Sequence, residues 1–524
     1  MPGSSRSAQA DQGVLPVIPT ALVEVDVVRR RRDAVPTAVL VPAGESGADL
    51  GAAAGALGVQ DSLLEALRVT GAAGEVRAVP LPGGGHGWTV GVGDGEPKQW
   101  RSAGAALARA VRERLGDSAG GEPNDPEDLG DAHDSEYVQV QLVDTVDPAA
   151  VSALSLGLAL GDYRFRVTRE PAVPRLRKAL LVPQQGVDAE ALRAAVALAR
   201  EWSAATALTR DLANTPSNVK NPAWLTELAA RLAAEVPGLS AVVRDEKWLA
   251  EHRFGGTLAV GGGSVSPPRL LEMTYAPEGA ERHLVLVGKG ITFDTGGLSL
   301  KPADGMHMMR TDMAGGAAVI AAALAIARLR LPVRLTALVP AAENHVSGSS
   351  YRPGDVVRHY GGTTTEVSNT DAEGRMVLAD ALAYAADRHN PDLVVDVATL
   401  TGAAKVGLGL RTGAVFASDE DLGRRLREAG ERTGEAWWPM PLLDDHVEDV
   451  RGELADLQQA PGGPGAVTAA LFLREFTAGL PWAHLDIAGP GRADRPTAEV
   501  VPGATGFAAR SLVELAADVA GQRG

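Results

Sequence analysis

The strongest constraint on the fold is an alternation of strand-like and helix-like segments in the second half of the chain. Apolar stretches of strand length occur at residues 241–243, 283–287, 334–339 and 392–397, and helical spacing occurs at 223–235, 315–327 and 375–387. Such alternation is typical of a mostly parallel sheet covered by helices. We therefore predict an α/β fold, with further helices at 465–478 and 509–520.

The first third of the chain predicts a second, smaller α/β domain. Its strand patterns lie at 20–41 and 137–143, and its helical patterns at 61–69, 102–115 and 149–160. Residues 116–136 are acidic, rich in glycine and proline, and predicted to be an exposed loop. The expected division is a disordered N-terminus at 1–15, an N-terminal domain at 16–175, a linking strand and helix at 176–212, and a larger domain at 213–524.

Composition excludes several classes of function. The net charge of −16 argues against nucleic-acid binding, which needs a basic surface. The chain has no cysteine, so it has neither disulfides nor thiolate sites. The first residues lack the apolar stretch of a secretory signal, and the apolar run at 313–327 is shorter than the ~20 residues of a membrane span. We expect a buried core helix there, no membrane association and a cytoplasmic protein.

Two acids and an arginine lie close together in the segment Asn369–Arg375. Asp371 and Glu373 point to the same side if the backbone is extended, and Arg375 follows on that side. Neighbouring carboxylates repel one another unless a cation lies between them. The alternative is a solvated loop with an internal salt bridge.

A second charged cluster favours a metal site. Lys289, Asp294, Lys301 and Asp312 follow the predicted strand at 283–287 in a glycine-rich stretch. Functional groups are usually displayed just beyond the strands of an open α/β sheet. Four converging carboxylates would take up protons, whereas two divalent cations would neutralise them. We interpret the two clusters as one two-metal site.

The stretch Asn369–Met376, NTDAEGRM, resembles the signature of the leucyl aminopeptidases, also called cytosol aminopeptidases, which form metallopeptidase family seventeen. Further similar segments are 214–218, 347–348, 351–355, 398–403 and 482–489. The resemblance covers residues 175–515 strongly and the first third weakly. It implies a catalytic C-terminal domain, an N-terminal domain similar to the macro-domain modules that bind nucleotide metabolites, and a homohexamer.

The resemblance also implies a set of metal ligands. Asp294 and Glu373 would bridge two divalent ions, Mn²⁺ or Zn²⁺. Lys289 and Asp312 would complete the tighter site, and Asp371 the more exchangeable one. A lysine must be neutral to serve as a ligand, and two adjacent dications would lower its pKa.

The same resemblance implies catalytic roles for two further residues. A water molecule bridging the metals would attack the scissile carbonyl, and Lys301 would stabilise the oxyanion. Arg375 would hold a bicarbonate ion that serves as general base. The residues that would bind substrate are Met309, Thr399, Leu400, Gly402 and Ala488.

The sequence departs from the family pattern at two places. His307 stands where an acid is common, and we interpret it as a histidine on the rim of the pocket. Pro490-Gly491-Arg492 stands where relatives often have larger apolar residues, which leaves the preferred side chain open.

These observations favour a metal-dependent aminopeptidase that releases N-terminal residues, with leucine-type preference, from peptides. Two alternatives remain. One is a phosphoesterase that uses the same two metals. The other is a non-catalytic regulator that binds a nucleotide metabolite or DNA, which the acidic balance and the complete set of site residues disfavour.

Overall fold

The computed structural model describes residues 16–33, 35–44, 48–115, 136–143, 146–169 and 175–521. The predicted disordered N-terminus and all of the predicted acidic loop except Glu136 lie outside these residues. Two large mixed sheets, each covered by helices, organise the described chain. The predicted α/β class, with a smaller N-terminal and a larger C-terminal part, is confirmed.

The smaller sheet is built from the first third of the chain. Its strands are β1 Glu24–Val27, β2 Thr37–Pro42, β3 Val76–Pro80, β4 His86–Gly93, β5 Tyr137–Gln141 and β6 Lys178–Val182, in the spatial order β1-β6-β5-β2-β4-β3. Its helices are α1 Leu50–Leu57, α2 Asp61–Ala66, α3 Pro97–Leu115 and α4 Pro148–Leu160. The strand expected in the linking segment, β6, pairs with β1 and β5 and is therefore part of this sheet. The proposed domain limits otherwise stay a prediction.

One long helix joins the two parts. Helix α5, Ala189–Asn214, begins at Asp188, whose carboxylate accepts from the amides of Glu190 and Ala191. Its first half contributes Leu192 to the core of the smaller part, and its second half contributes Leu212 to the core of the larger part.

The larger part has three layers. Its strands are β7 Leu239–Arg244, β8 Arg269–Tyr275, β9 His283–Gly288, β10 Gly290–Asp294, β11 Arg334–Asn344, β12 Val356–Arg358, β13 Thr364–Glu366, β14 Leu393–Ala398, β15 Thr412–Ala417, β16 Ala436–Met440, β17 Leu457–Gln458, β18 Trp482–Asp486, β19 Arg492–Ala493 and β20 Gly503–Ala504. Its helices are α6 Pro222–Ala234, α7 Glu246–Glu251, α8 Gly255–Gly261, α9 Ala314–Arg328, α10 Glu373–His389, α11 Gly402–Leu408, α12 Glu420–Thr433, α13 Gly465–Arg474 and α14 Ala509–Val519.

The main sheet of the larger part has the order β16-β15-β18-β14-β9-β11-β8-β7, and β10 pairs with β11. The central strands β18, β14, β9 and β11 are parallel, whereas β15, β8 and β7 join antiparallel neighbours. Along β9, Leu284 and Leu286 face one helical layer and Val285 and Val287 the other. Because the central strands are parallel, their carboxyl ends meet at one edge of the sheet.

Helix α9 lies in the core, as predicted. Among the described residues, the stretch Met306–Arg328 is long and apolar enough by length and composition to cross a membrane. Within its most apolar window, however, 89% of the residues are buried inside the protein. Such burial is typical of a core helix.

Helices α3 and α4 cross at very short range through glycines. A Cβ atom added at Gly104 would lie 2.2 Å from the carbonyl oxygen of Leu154, and one at Gly157 would lie 2.2 Å from that of Arg101. Both contacts involve backbone atoms, so no side-chain rotation can relieve them.

We therefore predict that Gly104→Ala destabilises the protein by about 1–3 kcal/mol through overpacking. The matched control is Gly55→Ala in α1, where an added Cβ meets nothing within 4 Å. That change should stabilise the protein by up to ~1 kcal/mol because alanine favours helix. Thermal unfolding of both variants measures the difference, and equal midpoints would contradict the close helix crossing.

Candidate active site

A cavity of about 260 Å³ opens at the carboxyl edge of the parallel strands. Lys289 follows β9 directly, Asp294 ends β10 and Thr399 follows β14. Asp312 precedes α9, and Glu373 is the first residue of α10. The cavity is lined by the five predicted metal ligands, by Lys301, and by Met309, Thr399, Leu400, Gly402 and Ala488. Sequence positions more than a hundred residues apart thus meet in one place.

Lys289 lies at the closed end of the charged cluster. Its Nζ atom is 2.9 Å from Asp312 Oδ1, 2.8 Å from Glu373 Oε1 and 3.0 Å from the carbonyl oxygen of Thr399. The aliphatic stem crosses Gly374, where an added Cβ would lie 2.6 Å from Lys289 Cε. A side chain at this position would therefore displace the end of Lys289 from its carboxylate partners.

Lys301 serves the other half of the cluster. Its Nζ atom is 2.7 Å from Asp294 Oδ2 and also contacts Asp371 Oδ1. Its side chain is 20% exposed, whereas that of Lys289 is 4% exposed. Lys301 therefore faces the cavity, and Lys289 is embedded in its wall.

The electrostatics reflect burial of like charges. Burial and repulsion from Glu373 raise the pKa of Asp294 to about 7, although two lysines oppose the shift. Burial also raises the pKa values of Asp312 and Glu373. Burial alone would lower the pKa of Lys289, but the surrounding carboxylates raise it above its usual range. The cluster therefore holds positive charge tightly.

The donor set fits divalent metal ions. One carboxylate oxygen each of Asp294, Asp371 and Glu373 lies within 4.8 Å of the others. One oxygen each of Asp312, Asp371 and Glu373 is shielded from solvent and is paired with a lysine ammonium. Carboxylate oxygens with one amine nitrogen suit Mn²⁺, Mg²⁺ or Zn²⁺ better than a soft, thiolate-preferring ion.

The backbone from Asp371 to Arg375 is not extended, so the condition under which Arg375 would point to the same side as the acids is not met. The amide of Asp371 donates to Asn369 Oδ1 at 2.9 Å, and the amide of Ala372 donates to the Asn369 carbonyl at 3.0 Å. This turn leads into α10, so Glu373 and Arg375 are about 200° apart around the helix axis. The acids still converge because Asp371 lies in the turn and Glu373 at the helix start.

Arg375 is not among the described residues that line the cavity. Its Nη1 atom donates to the Gln459 carbonyl at 2.6 Å, and its Nε atom is buried without a hydrogen-bond partner. Burial lowers the pKa of Arg375 to about 10, although Glu373 and Asp486 oppose the shift. The guanidinium thus lies behind the carboxylates as seen from the cavity, and its Nε–H group can donate a further hydrogen bond.

His307 lies on an exposed turn of the 3₁₀ helix Met306–Thr311 and is not among the cavity-lining residues. Its carbonyl accepts from Arg310 Nη1 at 3.0 Å. The histidine therefore takes no part in the charged cluster, and its place on the rim of the pocket stays an interpretation from the sequence.

Sequence reasoning missed two residues that support the cluster. Asn344, at the end of β11, donates through Nδ2 to Asp294 Oδ1 at 2.8 Å and to the Thr370 carbonyl at 3.0 Å. Gln459 accepts from the amides of Ser368 and Asn369 and donates to the Ala372 carbonyl. The one available signal was the polar residue Asn344 ending an apolar strand.

Comparisons with known proteins agree with this geometry. The sequence profile described as "Cytosol aminopeptidase family, catalytic domain" matches residues 207–513. A probable cytosol aminopeptidase of Syntrophotalea carbinolica is 47% identical over 375 residues, which are 70% of this chain and 74% of that protein. One of Streptomyces avermitilis is 41% identical over 472 residues, which are 87% and 88% of the two chains.

Solved structures extend the similarity to nearly the whole chain. The bottromycin maturation enzyme BotP in complex with Mn has a TM-score of 0.80 and 37% identity, covering 93% of this chain and 100% of its own. A mutant of tomato leucine aminopeptidase has a TM-score of 0.82 and 29% identity, covering 96% and 98%. From the matched profile and the coverage of these relatives, the chain belongs to the cytosol aminopeptidase family and is a metal-dependent aminopeptidase.

Proposed function

We propose that the cavity is the active site of a two-metal aminopeptidase that removes N-terminal residues, leucine-type residues among them, from peptides. The observation that carries the proposal is the convergence of Asp294, Asp371 and Glu373 within 4.8 Å, beside two lysines. With Asp312 the cluster has four carboxylates, whose negative charges would balance the positive charges of two dications. The Mn bound in the BotP structure favours Mn²⁺ as the ion, although Zn²⁺ suits the same ligands.

Bound divalent ions supply Lewis-acid polarisation of the scissile carbonyl and lower the pKa of a water molecule. In this proposal Lys289, Asp294, Asp312, Asp371 and Glu373 hold the metals. The embedded position of Lys289 suits a ligand, because its amine is surrounded by the same carboxylates.

Lys301 is proposed to stabilise the oxyanion that forms on the substrate carbonyl. Its ammonium lies at the cavity surface, and its paired carboxylates raise its pKa above the usual range although burial opposes this. A fixed cation in a water-poor site lowers the energy of a developing negative charge.

Arg375 is proposed to hold bicarbonate, which would accept the proton of the attacking water. In support, its Nε atom is buried and free of hydrogen bonds while Nη1 is anchored to Gln459. A planar guanidinium binds an oxyanion with two donors, which a lysine cannot do.

The substrate side chain is proposed to lie against Met309, Thr399, Gly402 and Ala488, with the Leu400 carbonyl available to the peptide. All of these residues line the cavity. Asp486 supports that wall, because its carboxylate accepts from the amides of Leu400 and Ala488. A homohexamer and a cytoplasmic location stay predictions from the family resemblance.

Chelation should abolish hydrolysis of leucine p-nitroanilide, and Mn²⁺ or Zn²⁺ should restore it. Asp294→Asn should lower kcat/KM by at least about 10²-fold and reduce the bound metal, since it removes a proposed bridging carboxylate. The control Asp355→Asn changes a half-buried carboxylate outside the cavity, paired with the exposed Arg352, and should leave both quantities unaltered. Hydrolysis of phosphoesters by a metal-loaded protein that cleaves no aminoacyl amide would support the phosphoesterase alternative instead.

Metal binding should release protons and weaken as the pH falls. The metal-free Lys289 keeps its proton because its pKa is raised, whereas a ligand amine must be neutral. Protons and metal therefore compete, so affinity should rise with pH. Calorimetry of Mn²⁺ binding in buffers of different ionisation enthalpy counts the protons released. Lys289→Gln should release about one proton fewer; an affinity independent of pH would show that Lys289 is not a ligand.

Arg375→Ala should lower kcat by about 10²-fold or more and remove any stimulation by bicarbonate in carbonate-depleted buffer. Arg375→Lys keeps the positive charge but loses the pair of parallel N–H donors, so bicarbonate should also stimulate this variant only weakly. Arg352→Ala, which removes an exposed arginine paired with Asp355, is the control. If Arg375→Ala responded to bicarbonate as strongly as the wild type does, another group would bind the ion.

A further inference from the structure

One cation in the wall of the cavity has no place in the proposed chemistry. Arg492 begins the short strand β19, which pairs with β20 through Ala504, and its half-buried side chain lines the same cavity as the metal ligands. The preceding residue, Gly491, lies against the wall, since an added Cβ would be 3.3 Å from Thr399 Cγ2.

The guanidinium of Arg492 is incompletely satisfied. Its Nη1 atom is shielded from solvent and has no hydrogen-bond partner, and no carboxylate of the described residues lies within 4.0 Å of it in an ion pair. Asp494 attracts it only at longer range. A buried donor on a charged group without a partner is energetically expensive, so a partner supplied from the cavity would be bound favourably.

A second cation, Arg310, acts on Arg492. Burial lowers the pKa of Arg492, and repulsion from Arg310 adds to the shift, yet a guanidinium stays charged at neutral pH. Lys405, on α11, is exposed and lines the same cavity. Arg492 and Lys405 are therefore two cations of the cavity lining that the metal cluster and the oxyanion role do not use, and Asp494 is the carboxylate of that lining outside the metal cluster.

We infer that Arg492, with Lys405 in the lining of the same cavity, binds a carboxylate group of the peptide substrate and so determines specificity. The inference rests on the proposed function, because it assigns the cavity to peptide hydrolysis. Arginine is suited to this role since it can donate two parallel hydrogen bonds to a carboxylate. Leucine-type substrates can still be cleaved, but a substrate with a suitably placed carboxylate is bound more tightly.

A peptide can supply this carboxylate in two ways. One is the acidic side chain of an N-terminal glutamate or aspartate, favoured by the contact of Gly491 with Thr399 in the proposed side-chain subsite. The other is the C-terminal carboxylate of a dipeptide. The chemistry recognised is the same, and two pairs of substrates separate the sources.

The test compares matched substrates that differ only in the carboxylate. Glutamyl and glutaminyl p-nitroanilide test the side chain, and leucylglycine and leucylglycinamide test the C-terminus. In the metal-loaded wild type, one pair should show a higher kcat/KM for the acid. Arg492→Gln should lower that acid-to-amide ratio about tenfold, mainly through KM, and Arg492→Lys should retain part of it.

Arg495→Gln is the matched control. Arg495 follows Arg492 by three residues in the sequence, but it is exposed and lines a different cavity. It makes the same charge change in the same segment and should leave both ratios within about twofold. Circular dichroism and bound metal identify variants that fail to fold, and Arg492→Lys provides a second variant if Arg492→Gln does so.

The outcomes separate the inference from the function on which it rests. Cleavage of leucyl substrates with both ratios unaltered in Arg492→Gln would overturn the inference and leave the aminopeptidase in place. If the metal-loaded wild type cleaved none of the four substrates or leucine p-nitroanilide, both would be overturned. A ratio lowered equally by Arg495→Gln would assign the effect to general surface charge and would also overturn the inference.

Discussion

The arrangement of the site depends on how the structure offsets the electrostatic repulsion between carboxylates that are buried from water. Asp294 and Glu373 are 1% exposed and Asp312 is 7% exposed, and burial makes their negative charges unfavourable unless cations lie among them. Lys289 and Lys301 provide such cations within the chain itself. Strand ends, glycines and the start of a helix are arranged so that acids and cations meet at hydrogen-bonding distance.

Much of this site could be predicted from the sequence because its residues follow local rules. Lys289 comes directly after the apolar strand β9 and Asp294 ends β10, and a parallel sheet brings such positions to one edge. The direction of Arg375 could not be predicted, since a turn at Asn369 and the start of α10 decide it. Asn344 was missed because its partners, Asp294 and Thr370, are distant in sequence.

The fold shows the same division between local and distant information. The central strands β9, β11 and β14 have apolar runs that are buried on both faces, and their positions were predicted. The positions of β8 and of the edge strand β16 were not, because their residues include Glu272, Trp438 and Pro439, which a pattern of alternation or continuous burial does not explain. Their place is decided by antiparallel or parallel pairing with neighbours already in the sheet.

The distribution of the cavity wall along the chain has a consequence for biosynthesis. Its lining runs from Lys289 to Asp494, and β18, which supplies Asp486, inserts between β14 and β15. The central sheet is therefore incomplete until the ribosome has released the chain beyond β18. Because long-range strand pairing must precede assembly of the wall, the proposed site forms only after β18 has joined the sheet.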